Sequence, residues 1–345
     1  MIKVGMIGMG GMGRHHAGVL KKMPEVQVVQ VCDLIQDKAE ALGAELGVPW
    51  TLDYRDVLAA DIDAVWVCTE PFNRRQIVLD AAAAGKHIFT EKPVCLDVED
   101  ADEMIAAARA AGVKYMLGYV LRFIEPYRTM AETLHSGELG ELISCWTRRF
   151  MPCDMSGRWY GNQEQSGGVT LDFGSHDGDW LCWLGGPVHS VYAHVARVRP
   201  TIQADEHGHV VLHFANGGMG SLEVSWWGPL SESSLGVVGT RGAMIVGRDG
   251  AVRKKLADGE EVIVDGSSAL AVDPSGKTGV QDAKGRIQAV TSRRETIQQH
   301  FFRCIEADLQ PLTDAGTGRQ VLAVMAAAQM SVQRQASVAL SEIEP

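Results

Sequence analysis

The chain has 345 residues, of which 46% are hydrophobic and 22% charged, and its formal net charge is −11. A globular chain of this length favours two domains over one core. The acidic balance, with no run of five or more basic residues, argues against nucleic-acid binding and against an anionic membrane surface.

No stretch reaches the ~18 apolar residues that a membrane span requires. The N-terminus runs straight into a glycine loop, which is not the pattern of a signal peptide. Seven cysteines are scattered without a Cys-x-x-Cys pair. This pattern predicts a cytoplasmic protein in a reducing compartment, with neither a disulfide framework nor a metal site.

The first predicted element is a strand, Val4–Ile7, followed by a loop that matches G-x-G-x-x-G and by a helix from Arg14. The first glycine allows a tight turn, the second lets the backbone approach a pyrophosphate, and the third lets helix and strand pack closely. The helix N-terminus offers N–H groups to the phosphates. The predicted cofactor contacts of this loop are Gly8, Gly10, Gly11, Met12 and Gly13.

A second predicted strand, Val26–Cys32, ends at Asp33, 20 residues after Gly13. An acid at this point accepts hydrogen bonds from the adenosine ribose and repels a 2′-phosphate, so we expect NAD rather than NADP. An alternative role for Asp33, capping a helix that begins near Gln36, is compatible with the first.

Strands then alternate with helices, which predicts a parallel, doubly wound sheet in a domain of residues 1–120. The predicted strands are Ala64–Cys68, His87–Thr90 and Lys114–Gly118, and the predicted helices are Arg74–Ala84 and Asp97–Ala111. Ligands bind at the carboxyl ends of such strands. We therefore expect Thr69, Glu91, Lys92 and Tyr119, which follow strand ends, to line the same rim as the glycine loop.

Residues 121–345 predict an α+β domain. Its first elements are a helix, Pro126–His135, a strand, Leu142–Phe150, a loop, Met151–Gln165, and a long helix, Gly168–Leu184. An antiparallel meander follows, punctuated by turn dipeptides such as Asn216-Gly217. Its predicted strands are Val188–Val198, His207–Phe214, Gly220–Trp227, Ser234–Gly239, Ala243–Gly247, Ala251–Leu256 and Glu260–Asp265. A long loop over 266–292 and two helices, Arg293–Ala307 and Gly316–Gln333, complete the prediction.

The meander strands are very apolar, which predicts a sheet face that forms a subunit interface in a homodimer or homotetramer. Burial within the subunit is the alternative. The residues concerned are Val210, Leu212, Phe214, Leu222, Val224, Trp226 and Trp227.

Gly168, Asp172 and His176 are spaced four apart on the predicted long helix and would share one face. Such a pair often belongs to a solvated helix face. Here the surroundings are apolar and rich in tryptophan, so the polar groups need a partner or a ligand.

Taken together, these motifs resemble the Gfo/Idh/MocA oxidoreductases over almost the whole chain. The resemblance rests on the glycine loop with His16 after it, on Glu91-Lys92-Pro93, on Gly118-Tyr119-x-x-Arg122-Phe123, and on Gly167-Gly168-x-x-x-Asp172-x-Gly174-x-His176-x-x-Asp179. It implies an N-terminal Rossmann domain, a C-terminal α+β domain with a large open-faced, mainly antiparallel sheet used in oligomerisation, and NAD(H) or NADP(H) as cofactor. It also implies a catalytic trio of Lys92, Asp172 and His176.

The chain departs from the family pattern at one place. Members often carry Thr-Pro-Asn-x-x-His after the fourth strand, whereas this chain reads Thr69-Glu70-Pro71-Phe72-Asn73-Arg74. Whether residues 70–74 contact the cofactor is therefore left open.

The resemblance and the chemistry predict an NAD-dependent dehydrogenase that oxidises a secondary hydroxyl of a sugar, sugar derivative or cyclitol. His176 is the expected general base, because imidazole titrates near neutral pH. Lys92 would stabilise the developing alkoxide, and Asp172 would bind a neighbouring hydroxyl. The predicted substrate contacts are Tyr119, Arg122, Arg149, Arg158, Trp159, Asp172 and His176.

Two kinds of alternative function remain open. The same scaffold could reduce keto-sugars, act on diols or cleave glycosides with redox assistance. A protein of another class, a non-catalytic NAD-binding sensor, would keep the nucleotide site alone.

Overall fold

The computed structural model describes residues 1–247, 250–264, 271–272, 278–281, 287–289 and 295–343. They fall into two compact units, of which the first combines Met1–Tyr119 with Thr296–Gln320 and the second combines Val120–Glu295 with Val321–Pro345. From the sequence, everything after residue 120 was expected to form one domain. In the structure, Thr296–Gln320 instead belongs to the first unit.

The elements are numbered in chain order. The strands are β1 (Ile2–Ile7), β2 (Val26–Cys32), β3 (Trp50–Thr51), β4 (Ala64–Val67), β5 (His87–Thr90), β6 (Tyr115–Leu117), β7 (Leu142–Phe150), β8 (Val188–Ala196), β9 (His207–Phe214), β10 (Met219–Ser225), β11 (Glu232–Gly239), β12 (Gly242–Val246), β13 (Val252–Leu256), β14 (Val262–Ile263), β15 (Ala271–Val272), β16 (Thr278–Gln281), β17 (Ile287–Ala289) and β18 (Val338–Ala339). The α-helices are α1 (Gly11–Leu20), α2 (Gln36–Leu46), α3 (Tyr54–Ala59), α4 (Arg75–Ala83), α5 (Val98–Ala110), α6 (Glu125–His135), α7 (Gln163–Ser166), α8 (Gly168–Asp172), α9 (Gly174–Gly185), α10 (Ile297–Glu306) and α11 (Ala315–Arg334).

The first unit contains a parallel six-stranded sheet in the order β3-β2-β1-β4-β5-β6. All four residues of β4 are buried, as expected where helices cover both faces of a parallel sheet. The strand order reverses between β1 and β4, which is where open α/β sheets bind their ligands. The predicted doubly wound sheet is confirmed. Strand β3 and helix α3 were not predicted, because elements of two and six residues are too short to give a periodic signal.

The returning helix α10 packs on the first unit through aromatic side chains. The rings of Phe301 and Phe302 lie 5.5 and 5.8 Å from that of Trp66. Trp66 itself stacks on Phe89 at 3.8 Å between ring centroids. The burial of these large rings against one another explains why this C-terminal helix belongs to the N-terminal unit.

The second unit contains a nine-stranded sheet in the order β14-β13-β12-β11-β7-β10-β9-β8-β18. Strand β7 lies in the middle, antiparallel to β11 and parallel to β10. The predicted meander is therefore interrupted, because β7 lies between β10 and β11. A parallel pair needs a long crossover, which α8 and α9 provide as part of the chain between β7 and the later strands. The α+β class and the mainly antiparallel character are confirmed.

The apolar strand residues that suggested an interface face the inside of the second unit. Six of the seven are no more than 1% exposed, whereas Trp227 is 49% exposed. A Cβ added to Gly185 of α9 would lie 2.3 Å from the Phe214 ring, so helix and sheet touch closely there. The alternative of burial within the subunit is correct for these six residues, because the alternate residues of each strand face the opposite side.

The predicted loop over 266–292 is interrupted by β15, β16 and β17, which form a separate three-stranded sheet. The rest of that predicted loop lies outside the described residues, as do Asp265 of the last predicted meander strand and Arg293 at the predicted start of a helix. Within the described ranges, no helix combines the length and the apolarity that crossing a bilayer demands.

Replacing Leu212 by alanine tests the assignment of the sheet faces. Leu212 is fully buried, so the substitution should lower the free energy of unfolding by about 2–5 kcal/mol. Val211, its neighbour on the other face, is 40% exposed, and Val211→Ala should cost less than about 1 kcal/mol. Chemical denaturation of both variants provides the measurement, and equal losses would contradict the assignment.

Candidate functional site

The glycine loop between β1 and α1 is built as a phosphate-binding turn requires. Gly8 has φ +88°, and a Cβ there would lie 2.7 Å from the carbonyl carbon of Cys68. A Cβ on Gly13 would lie 2.0 Å from the Gly8 carbonyl oxygen. Added Cβ atoms on Gly10 and Gly11 would meet nothing within 4 Å, so space is open at the start of α1. The loop therefore fits a pyrophosphate group at the helix N-terminus.

Asp33 ties this loop to the end of β2. Its Oδ2 accepts a hydrogen bond from the Met9 N–H at 2.7 Å, and its Oδ1 accepts one from the Ile35 N–H at 2.8 Å. The N-cap of α2 is Ile35, which has no side-chain cap, so Asp33 acts just before the helix. A carboxylate has about four acceptor sites, which leaves capacity for ribose hydroxyls.

Thr69 follows β4 on the same edge of the sheet. Its Oγ1 is buried and has no hydrogen-bond partner among the residues that the structure describes. A buried hydroxyl of this kind calls for an explanation. A bound nucleotide would supply the missing partner.

Glu91 forms the centre of a buried polar network at the end of β5. Its Oε1 lies 2.6 Å from Nε2 of His16 on α1, and Nδ1 of His16 lies 3.1 Å from Nε2 of Gln298 on α10. Burial alone would raise the pKa of Glu91, but the His16 hydrogen bond and the charges of His16, Lys92 and Arg74 outweigh it and lower that pKa. Glu91 was predicted as a cofactor contact, and in the structure its Oε1 is engaged by a protein side chain.

Arg74 had no role predicted from the sequence. It is 1% exposed, and its guanidinium donates to the carbonyl oxygens of Thr69, Glu91, Pro93 and Val94. Two of these acceptors, the carbonyls of Glu91 and Pro93, belong to the residues on either side of Lys92 in the chain. Lys92 is half-buried, and its peptide bond to Pro93 is cis. The sequence feature that could have drawn attention to Arg74 was the departure from the family motif, because Arg74 stands where members often carry histidine.

In the second unit, Asp172 ends α8 and His176 lies in the first turn of α9. The prediction of one unbroken helix is wrong at Phe173, which separates them. Phe173 keeps right-handed helical angles, with φ −89° and ψ −43°, and its N–H still donates to the Val169 carbonyl. The two segments therefore follow nearly one helical path, which supports the predicted common face.

The start of α8 is fixed by a buried carboxylate. Asp205 accepts from the Thr170 N–H and hydroxyl, and its main-chain carbonyl accepts from the Val169 N–H. A Cβ on Gly168 would lie 1.7 Å from Asp205 Oδ1. Gly168 of the motif is thus required by the close approach of Asp205, whereas a Cβ on Gly167 would lie 2.5 Å from the Leu171 side chain.

Two arginines predicted as substrate contacts are engaged with buried carboxylates of α9. Arg122 donates to Asp179 at 2.7 Å, and Arg149 donates to Asp177 at 2.5 Å. Each arginine is 7% exposed, and both aspartates are fully buried. Burial raises the pKa of Asp179, and Arg122 opposes that shift. Both arginines therefore hold α9 in place through these ion pairs. Their contact with a substrate stays a prediction.

Other predicted substrate residues are more accessible. Arg158 is exposed, and Trp159 stacks on Tyr160 at 3.8 Å between ring centroids. Burial raises the pKa of the Cys153 thiol to about 11, with Asp172 adding to the shift and Arg199 and Arg158 opposing it. Tyr119, in the first unit, is buried.

The features of the first unit define a dinucleotide-binding protein, and comparison with known proteins extends that conclusion to the whole chain. Residues 2–119 match the oxidoreductase family with an NAD-binding Rossmann fold, and residues 127–245 match the GFO/IDH/MocA C-terminal domain. The chain belongs to the Gfo/Idh/MocA family of NAD-binding oxidoreductases. The resemblance seen in the sequence is confirmed.

Named relatives include inositol dehydrogenases. A scyllo-inositol 2-dehydrogenase (NAD+) of Bacillus subtilis is 28% identical over 71% of this chain and 74% of its own length. A myo-inositol 2-dehydrogenase of Thermotoga maritima is 24% identical over 99% of both chains. The fold matches a solved oxidoreductase from Agrobacterium radiobacter, in complex with NAD+, L-tartaric acid and magnesium, with a TM-score of 0.86, 21% identity and 99% coverage of each chain.

Paired glycine substitutions on α1 test the nucleotide site. Gly13→Ala would force a Cβ to within 2.0 Å of the Gly8 carbonyl, whereas a Cβ on Gly18 meets nothing within 4 Å. Gly13→Ala should therefore weaken NADH binding at least about tenfold, because the turn must open. Gly18→Ala should change it less than about twofold. NADH fluorescence titration measures both, and equal affinities would argue against this loop as the binding site.

Asp179→Asn tests the structural role of the Arg122 pair. Removing one charge of a buried pair should destabilise the protein by about 3–5 kcal/mol. The exposed pair of Arg128 and Glu132 on α6 is the control, and Glu132→Gln should cost about 0.5 kcal/mol or less. Thermal unfolding of the two variants measures both losses. A small effect of Asp179→Asn would contradict the structural role of the Arg122 pair and would favour Arg122 as a substrate contact.

Proposed function

We propose that this protein oxidises a secondary hydroxyl of a polyol, sugar or cyclitol to a ketone and transfers the hydride to NAD. The observation that carries the proposal is that one chain holds both a nucleotide-binding glycine loop, in the first unit, and Asp172 and His176 on one nearly continuous helical path, in the second. Its membership of a family with named inositol dehydrogenases supports it. Resident NAD would supply the hydride acceptor, held by the glycine loop, Asp33 and Thr69.

His176 is the proposed general base. Loss of a hydride from carbon leaves the hydroxyl proton to be removed, and imidazole is the side chain best suited to accept it near neutral pH. His176 is half-buried and sits near the start of α9, whose position is fixed by the Asp177 and Asp179 ion pairs. A base on a rigid helix keeps its alignment with a bound hydroxyl.

Lys92 and Asp172 are proposed to hold the substrate oxygens. The ammonium of Lys92 would stabilise negative charge as it develops on the reacting oxygen. The carboxylate of Asp172 accepts hydrogen bonds, so it would orient a neighbouring hydroxyl. Two adjacent hydroxyls are thus the expected substrate feature, which fits cyclitols and sugars. Arg158 and Trp159 are proposed to shape specificity.

We also propose that the protein self-associates through the second unit. The proposal now rests on exposed residues of the outer sheet face, because the apolar residues that first suggested an interface are buried within the subunit. The outer face of its large sheet exposes Tyr192, Val211 and Met219 by 45, 40 and 53%. We propose that a second copy of the chain covers this face, as the family resemblance implies. Sedimentation velocity of the wild type and of Val211→Glu distinguishes a dimer or tetramer from a monomer.

His176→Ala tests the general base. We expect kcat to fall about 10²–10⁴-fold, the usual effect of losing a positioned base, with NADH binding retained. The exposed His189 of β8 offers a matched control, and His189→Ala should leave kcat within about twofold. Turnover in His176→Ala equal to that of the wild type would refute the assignment.

A substrate panel tests the reaction itself. The protein is mixed with NAD+ or NADP+ and with inositols, hexoses and sugar acids, and reduced cofactor is followed by absorbance. We expect NAD+ reduction with at least one vicinal polyol and weaker activity with NADP+, because Asp33 repels a 2′-phosphate. Tight NADH binding without turnover across the panel would favour a non-catalytic sensor.

A further inference from the structure

Arg74 occupies a position that is unusual for a charged side chain. It is 1% exposed at the N-cap of α4, between the ends of β4 and β5. Burial lowers its pKa, and the nearby Glu91 carboxylate acts in the opposite direction. A buried cation is retained only where hydrogen bonds and charge compensate the lost hydration.

The compensation comes from main-chain carbonyls that flank two predicted site residues. Nη2 donates to the Thr69 carbonyl at 2.6 Å. Nη1 is within hydrogen-bonding reach of the Glu91 carbonyl at 2.5 Å, of the Val94 carbonyl at 3.2 Å, and of the Pro93 carbonyl. One guanidinium thus joins Thr69, two residues past the end of β4, to the segment that carries Lys92.

We infer that Arg74 is a positioning residue that sets the placement of Lys92 by holding the carbonyls of Glu91 and Pro93 on either side of it. This inference rests on the proposed function for the role of Lys92. Arg74 itself is not placed against substrate or cofactor. It acts on the backbone from which the lysine side chain extends.

The guanidinium geometry explains why this role suits arginine. Its planar fork presents donors in two directions, so it bonds Thr69 on one strand end and the Lys92 segment on the other. A lysine ammonium is a single point of charge and cannot reproduce that spacing. Histidine, which family members often carry here, is shorter.

Arg74→Lys, which preserves the charge, is the central variant. Arg75→Lys is its matched control, because Arg75 is the next residue and forms a half-exposed ion pair with Glu103. Misplacement of a catalytic group by about 1 Å can cost roughly 10²-fold in rate. We expect Arg74→Lys to lower kcat about 10–100-fold while the Kd for NADH changes less than about threefold, and Arg75→Lys to change neither.

A double-mutant cycle separates positioning from general damage. If Arg74 acts through Lys92, then Arg74→Lys combined with Lys92→Met should be no slower than Lys92→Met alone. Multiplicative losses in the double variant would overturn the inference, because they would show that Arg74 acts independently of Lys92.

Amide hydrogen exchange gives a readout that does not depend on activity. In the NADH-bound protein, Arg74→Lys should speed exchange of the Glu91, Lys92, Val94 and Cys95 amides about tenfold, with β1 and β2 unaffected. Unchanged exchange in this segment together with unchanged kcat refutes the clamp. Faster exchange in a protein that oxidises no polyol would uphold the clamp and refute the proposed function instead.

Discussion

The need to compensate charge in the interior shapes the first unit. Glu91 is buried at the end of β5, and a buried carboxylate is stable only with hydrogen-bonding partners and nearby positive charge. His16 meets this need from the helix that follows the glycine loop, and Arg74 adds positive charge from the start of α4. Gln298 completes the network from a C-terminal helix. One carboxylate thereby connects the nucleotide loop, the Lys92 segment and the returning helix.

The same constraint organises the second unit. Helix α9 buries Asp177 and Asp179, and each is paired with an arginine, Arg149 and Arg122 respectively. These pairs fix the helix from two directions, because Arg149 comes from β7 and Arg122 from a turn before α6. His176 therefore lies on a helix held by strong, buried contacts. The arginines that resembled substrate ligands in the sequence contribute to the site by holding the element that carries its proposed base.

Much of the first unit followed from local patterns. The bounds of β2 and β5 match the predicted strands, because both segments are rich in β-branched or aromatic residues. The glycine loop was equally clear because the turn needs glycine at fixed positions. The central place of β7 and the partners of Arg122 could not be predicted. They depend on contacts between residues distant in sequence, about which local periodicity carries no information.

The sequence by itself determined the class of fold, the nucleotide signature and the spacing of Asp172 and His176. Each of these depends on neighbouring residues, on glycine conformations or on helical period. Only the tertiary structure decided which polar groups are buried and what they bind. The clamp around Lys92 is the clearest case, because the four carbonyls that Arg74 contacts belong to two separate strand ends. An arginine in a sequence shows a charge, and its role depends on whether the folded chain surrounds that charge with acceptors or leaves it in water.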